Sequence, residues 1–285
     1  MPLTVSVVGG TGVYARHLIP RLVARGHTVR ALVRRPDAAE FARACGAEVH
    51  VADVFEPESL RTAMAGSDVA LNIATAVPGP SGRGDFASNE RLRREGAPIW
   101  LQACADAGVP RVLQQSIAWV NAGGTDEWTD EDTLPAAPSA GVATALAMEE
   151  SVRNSGLDWV ILRGAHFYGP GTGADQRWFD QAAAGTLLLP GEGDAFTTLI
   201  HVADMAEATA AAVDRWPSRQ ALIIGDDAPA RWSEVYGYVA ALAGADAPEP
   251  GGPSNFVSTR LRNTRAREAL GWAPAYADYR SGLAR

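Results

Sequence analysis

A strand-like run, Val5-Ser6-Val7-Val8, leads into Gly9-Gly10-Thr11-Gly12-Val13-Tyr14-Ala15, and the small residues at 9, 12 and 15 have separate tasks. Gly9 lets a strand turn sharply into a helix. Gly12 lets the backbone approach a pyrophosphate, and Ala15 lets the helix lie close on its sheet. The positive end of that helix would hold the phosphates. The spacing predicts a dinucleotide site built from Gly9, Thr11, Gly12, Val13 and Tyr14; the alternative is a tight strand–helix turn without a ligand.

The second strand ends Ala31-Leu32-Val33-Arg34-Arg35-Pro36. A site for NAD usually has a carboxylate there for the ribose 2′-hydroxyl, whereas an arginine suits a 2′-phosphate. Such a charge-assisted contact contributes about 1.5–3 kcal/mol. Arg34 therefore favours NADP(H) over NAD(H), the alternative being a solvated side chain. Asp53, with Val54 after it, is placed to reach the adenine amino group or to cap a turn. Asn72 and the run Ala74-Thr75-Ala76 close the fourth strand and are expected to floor the ribose.

The elements that must position these residues alternate. Apolar runs at Leu3–Val8, Thr28–Val33, Glu48–Val51, Val69–Ile73, Arg111–Gln115 and Trp159–Leu162 are separated by helical patterns near 12–25, 37–45, 57–65, 87–107 and 142–155. That rhythm predicts an α/β fold with a doubly wound parallel sheet of Rossmann type. Pro98 should break the fourth helix at Gly96-Ala97-Pro98. After Arg163 the chain becomes rich in Gly and aromatic residues, so residues 1–165 and 197–225 are read as the nucleotide-binding core. Residues 166–196 and 226–285 are read as a smaller interleaved cap for substrate.

Of 285 residues, 47% are hydrophobic, and the net charge of −8 argues against a nucleic-acid partner. The chain has no lysine; its 25 basic residues of that class are all arginine. Cys45 and Cys104 form no metal or CxxC pattern, so no metal site is expected. The first strand begins at Leu3 and no apolar run reaches about 18 residues, which predicts a cytoplasmic protein with no membrane association.

Several further segments occur in a recognisable order: Gln115-Ser116-Ile117-Ala118, Glu131-Asp132-Thr133-Leu134-Pro135, Tyr168-Gly169-Pro170-Gly171, Ile200-His201-Val202-Ala203-Asp204 and Leu270-Gly271-Trp272-Ala273-Pro274. With the glycine turn, they make the chain resemble the extended short-chain dehydrogenase/reductases, the epimerase/dehydratase-like group, with a leaning to its atypical NmrA-like branch. The resemblance implies an NADP(H)-dependent oxidoreductase acting on a small, partly apolar molecule, and it allows a homodimer. It also places Ser116 where the family has a serine that polarises substrate. The family's Tyr-x-x-x-Lys pair falls at Gly141 and Ala145, so both side chains are missing.

Replacement groups are few. His166 follows the strand Trp159–Arg163 and, titrating near neutrality, would be able to donate a proton. Tyr168 is a second candidate, and Ser116 a third; each has a structural alternative. His201 is expected to be structural. Asp126, Glu127, Asp130, Glu131 and Asp132 crowd one loop, mostly solvated, with room for one to turn inward. Trp119, Trp128, Trp178 and Phe179 are expected to wall an aromatic pocket or to pack the cap. Three outcomes stay open: a reductase with an atypical proton source, a non-redox lyase, cyclase or isomerase, and a non-catalytic NADP(H) sensor.

Overall fold

The structure, a computed structural model, describes residues 1–79, 84–136, 138–253 and 257–284. The chain runs β1 (Thr4–Val8), α1 (Val13–Ala24), β2 (Thr28–Val33), α2 (Glu40–Ala44), β3 (Glu48–Val51), α3 (Pro57–Met64), β4 (Val69–Asn72), α4 (Phe86–Arg91), α5 (Ala97–Asp106), β5 (Arg111–Ile117), α6 (Ala140–Arg153) and β6 (Asp158–Gly164). It continues with β7 (His166–Tyr168), α7 (Ala174–Ala183), β8 (Leu189–Pro190), β9 (Phe196–Thr197), β10 (Leu199–His201), α8 (Val202–Arg215), β11 (Gln220–Ile224), β12 (Ala230–Arg231), α9 (Trp232–Ala243), β13 (Pro250–Gly252), α10 (Thr264–Leu270) and α11 (Tyr279–Leu283).

A seven-stranded sheet has the order β11-β6-β5-β4-β1-β2-β3. The order reverses beside β1, as in a doubly wound Rossmann sheet, and ligands of such sheets bind at the carboxyl ends of the strands near that reversal. The register aligns those ends: Val8 faces Leu32 on one side and Asn72 on the other. Gly9, Arg34, Asp53 and Ala74 all follow directly from this edge. Strands buried on both faces explain the unbroken apolar runs, with Val5, Val7, Val69, Ala70 and Leu71 fully inaccessible.

Two compact units partition the chain. The first comprises Met1–Ile117, Ser139–Arg163 and Ala206–Leu222; the second comprises Ala118–Pro138, Gly164–Met205 and Ile223–Arg285. The division differs from the sequence reading at 118–138, 164–165, 197–205 and 223–225, where pairing draws these residues into the second unit. Thr129 bridges Leu261, the Ile223 amide donates to Glu131 Oε1, and β10 pairs with β7. The first core gathers Leu32, Leu60, Trp100, Val112 and Ile161; the second gathers Tyr168, Trp178, Trp232, Val239 and Tyr279.

The expected break at Pro98 does not occur. Gly96 and Ala97 keep right-handed helical angles, and Leu92–Gly96 forms a π-helical turn between α4 and α5. Pro98 falls in the first turn of α5, just after the π-helical stretch, where its missing N–H costs least. Gly96 is small for a reason: a Cβ there would lie 3.2 Å from a Val54 methyl.

The turn after β1 has less freedom still. Gly9 has φ +91°, and a Cβ on it would lie 2.9 Å from the Ala74 backbone. Gly9→Ala is therefore expected to lower unfolding free energy by about 1–3 kcal/mol, measured from urea midpoints at constant slope. A midpoint unchanged from wild type would contradict the close approach.

Candidate functional site

In the first unit the sequence-predicted cofactor residues converge on one sheet edge. Gly10 donates its amide to the Leu32 carbonyl at 3.3 Å, and a Cβ on it would meet Ala31 Cβ at 2.9 Å. Gly12 is the N-cap of α1 and offers no capping side chain, while the first turn holds no acidic residue. The cradle is open to an anion, since unsatisfied helix N–H groups and the dipole both favour negative charge. Thr11 and Gly12 are exposed and Val13 half-buried. These residues fit a dinucleotide phosphate bridge.

Tyr14 is different. Its side chain is buried and hydrogen-bonds Thr209 of α8, with burial raising its pKa, so only its backbone remains for a ligand. Arg34 is exposed and makes no hydrogen bond or ion pair, leaving its guanidinium free for a phosphate. Asp53 Oδ1 accepts from the Phe55 amide at 3.0 Å, the turn-capping alternative, and its second oxygen is still available. Val54 is buried beside it. The Ala74 amide donates to Asn72 Oδ1 at 3.2 Å, which fixes the strand end, and Thr75 is exposed.

Ser116 is almost wholly buried, and its hydroxyl donates to Glu149 Oε1 at 2.7 Å. Arg163 closes on the same carboxylate with Nε at 3.0 Å and Nη2 at 2.6 Å, and Arg153 adds a contact at 2.8 Å. Burial alone would raise the Glu149 pKa, but Arg163, Ser116 and Arg153 hold it below the usual range. The Ser116 proton is committed to an ion network that seals α6 to the sheet. On α6 itself, Ala140-Gly141-Val142-Ala143-Thr144-Ala145 supplies neither phenol nor amine, and the Gly141 carbonyl accepts from Arg93 at 2.8 Å.

In the second unit His166 stands among indoles: Trp119, Trp178 and Trp232 have ring centroids 5.8, 5.9 and 5.4 Å from the imidazole. Burial, with Arg177 adding like charge, pushes its pKa down to about 4. This corrects the expectation of titration near neutrality: His166 is neutral at physiological pH and has no imidazolium proton to give. Its Nδ1 is sealed from solvent without a hydrogen-bond partner. Tyr168 is fully buried and donates to the Asp278 carbonyl at 3.4 Å. Burial first, then Asp226, Asp204 and Asp278, raise its pKa and make it a poor acid.

His201 is structural, as expected: Nδ1 accepts from the Ala203 amide and the ring stacks 4.0 Å from Tyr276. In the acidic loop Glu131 has turned inward, while Asp126 pairs with Arg231 and Asp132 with Arg265. Trp128 does not wall an apolar pocket; Arg260 and Arg262 lie over its ring at 4.7 and 5.0 Å. A cavity of about 770 Å³ is bordered by Asp126, Asp194, Arg231 and Ser258, but its arginine is already bonded to Asp126 and the Asp194 carbonyl. Sequence reasoning missed Trp232 and Tyr236, whose i,i+4 spacing at the start of α9 puts both rings on one face. Among the described residues no helix is long and apolar enough to cross a membrane, and no group of three or more His, Cys, Asp or Glu is placed to hold a metal.

The model of an NAD(P)H-binding family matches residues 9–215, from the first glycine of the turn to the end of α8. The chain belongs to this family. A Streptomyces relative of this NAD(P)H-binding protein is named 3-diazoavenalumate denitrifying reductase; it is 34% identical over 99% of this chain and all of its own length. A second relative, from Stigmatella aurantiaca, is 4-hydroxy-2-methyl-3-oxo-4-farnesyl-3,4-dihydroquinoline-1-oxide ketoreductase, 30% identical over 78% of this chain and 68% of its own. The UDP-glucose 4-epimerase of Thermotoga maritima, solved with UDP-glucose, superposes with a TM-score of 0.82 at 19% identity, covering 99% and 96% of the two chains. That likeness shows the epimerase/dehydratase-like fold. With reductases as its relatives, this NAD(P)H-binding protein is an atypical short-chain dehydrogenase/reductase.

The depressed pKa of His166 has a measurable sign. Unfolded, the imidazole returns to about 6.5, so between about 6.5 and 4 the unfolded chain binds a proton that the folded chain refuses. The stability of the wild type relative to His166→Phe is expected to be full above pH 6.5 and to drain as the pH falls toward 4. Paired urea titrations across that range test it; a pH-independent difference would contradict the desolvated imidazole.

Proposed function

We propose that the chain is an NADP(H)-dependent reductase that delivers hydride to an aromatic diazo compound and supplies no proton of its own. What carries this reading is the withdrawal of every candidate acid. Ser116 is bonded to Glu149, His166 is neutral and Tyr168 is buried against a carbonyl, and the resemblance puts Gly141 and Ala145 where the family has its phenol and amine. Losing a general acid from an ordinary carbonyl reduction costs about 10²–10⁴ in rate. An aryl diazonium avoids that cost.

When bound, the reduced nicotinamide supplies one hydride, and the balance closes without a proton: Ar–N₂⁺ plus hydride gives Ar–H and N₂. The aryl–nitrogen bond breaks with its electron pair leaving on dinitrogen, the hydride pair forms the new carbon–hydrogen bond, and the nicotinamide is oxidised. The Streptomyces relative, whose name describes a diazo compound and a denitrifying reduction, supports the same acceptor class. Trp119, half-buried beside His166, is the kind of face that a flat, electron-poor or cationic ring prefers, while Trp178 and Trp232 are packed in the core behind it.

In this reading the backbone of Gly9, Thr11, Gly12, Val13 and Tyr14 cradles the pyrophosphate, and Arg34 takes the 2′-phosphate. Asp53 and Val54 border the adenine, and Ala74 and Thr75 floor the ribose. Ser116 and Tyr168 act through the structure, by holding α6 and the aromatic box.

Anaerobic mixing of the purified protein with NADPH and a hydroxybenzenediazonium salt tests the function. NADPH oxidation above the protein-free rate, matched by released N₂, is expected; an unaltered rate would overturn the proposal. In the same preparation Arg34→Ala should weaken NADPH about 10–100-fold, the equivalent of about 1.5–3 kcal/mol, with NADH little changed. Equal losses for both nucleotides would refute the 2′-phosphate role.

A further inference from the structure

Arg93 is a cation without a carboxylate. It sits in the π-helical turn Leu92–Gly96, half-buried, and makes no ion pair among the described residues. Burial works against its charge, and Glu90 offsets that only in part. A guanidinium keeps its proton in a protein, so a charge held partly out of water needs oxygen acceptors around it.

The protein supplies acceptors at one end only. Nη1 donates to the Gly141 carbonyl at 2.8 Å and reaches Thr144 Oγ1 at 3.5 Å, both on α6. Nε and Nη2 have no partner among the described residues, and neither is among the atoms sealed from solvent. These two nitrogens form an edge of the fork on which two N–H bonds run parallel, suited to a pair of neighbouring oxygens. Gly141 leaves the room: a Cβ there would lie 4.0 Å from Arg93 Nη1, so any longer side chain would begin beside the guanidinium.

The helix that carries Arg93 also touches the expected cofactor floor. Four residues earlier, buried Asn89 accepts through Oδ1 from the Ala76 amide at 3.0 Å, in the run Ala74–Ala76 that follows β4. Residues four apart share a helix face. Strand order decides which part of a dinucleotide would come here. Arg34 and Asp53 follow β2 and β3 on one side of β1, and the open amides of α1 take the phosphates. A dinucleotide that spans the reversal lays its other nucleoside toward β4 and β5, the side of Ala76 and Arg93, and all these residues belong to the first unit. The neighbouring oxygens of that nucleoside are the two hydroxyls of its ribose.

We propose that Arg93 binds the vicinal hydroxyls of the nicotinamide ribose through its Nε–Nη2 edge, as a cofactor residue contributed by the π-helical turn. Turns of this kind within a helix are frequent at functional positions. The proposal deepens the proposed function and rests on it for the dinucleotide, but not for the diazo acceptor or the 2′-phosphate. The guanidinium fixes the ribose by donating hydrogen bonds and yields no proton, in keeping with hydride transfer unaided by an acid.

Calorimetric titration with NADPH, and with an NADPH analogue whose nicotinamide ribose lacks both hydroxyls, tests it; NADH and its own dideoxy analogue, run in parallel, free the result from Arg34. The wild type is expected to bind the dideoxy analogue at least about tenfold more weakly than the parent. Arg93→Met, which keeps the apolar stem, should bind the two alike. 2′,5′-ADP, which has no second ribose, should bind both proteins equally. A wild type indifferent to the hydroxyls would overturn the proposal, as would an Arg93→Met protein that discriminates as strongly as the wild type.

Nitrogen-15 spectra of the arginine-labelled wild type give a reading that does not depend on the methionine variant. The Arg93 Nε–H signal, assigned as the one absent from Arg93→Lys, should move with NADPH and stay in place with 2′,5′-ADP; no movement with NADPH, or equal movement with both, would overturn the proposal. Should diazonium reduction fail while the hydroxyl discrimination holds, the proposed reaction falls and this inference stands. Should reduction proceed without that discrimination, the inference falls and the reaction stands.

Discussion

The absence of a side chain at Gly9 and Gly10 is the constraint from which the rest follows. At these positions a single carbon would collide with the backbone of Ala74 or the side chain of Ala31. Because nothing is there, β1 turns at once, α1 starts with its amides uncovered, and Arg34, Asp53 and Ala74 follow the carboxyl ends of the neighbouring strands. The helix can receive an anion because Gly12 cannot cap it and no carboxylate occupies its first turn. Larger residues would close the cradle and strain the strand together.

A second constraint is desolvation, and it acts on proton chemistry. Each polar group that the sequence offers as a substitute acid is withdrawn from water, wholly or in part, and held by other contacts. Ser116 completes the shell of a buried Glu149 whose charge Arg163 and Arg153 balance. Tyr168 anchors α11 through Asp278, and His166 is kept neutral by its indole neighbours. Nothing in that arrangement resembles an acid tuned to operate near neutrality. In the proposed function the fold keeps the hydride half of the family's chemistry and gives up the proton half.

The sheet and the glycine turn were legible in sequence because their signals are local. Short, mostly apolar runs, a glycine at the strand end and a small residue one helical turn later are read without knowing the partner. The fates of Ser116, His166 and Tyr168 were not, since each is set by residues distant along the chain: Glu149 and Arg163 for the serine, three tryptophans from separate elements for the histidine, Asp278 for the tyrosine. Pro98 misled in the other direction. A proline signals a broken helix, and the π turn just before it needs Gly96 packed against Val54, a tertiary fact. The two compact units depart from the sequence partition where pairings distant along the chain, such as Thr129 with Leu261, join residues.

Hydride transfer with no proton from the protein is tested most directly by isotopic origin. NADPH deuterated at the transferring position of C4 should place one deuterium on the product carbon that lost dinitrogen, and unlabelled NADPH in deuterium oxide should place none there. Deuterium arriving from solvent, or product formed while the cofactor label stays on the nicotinamide, would contradict it.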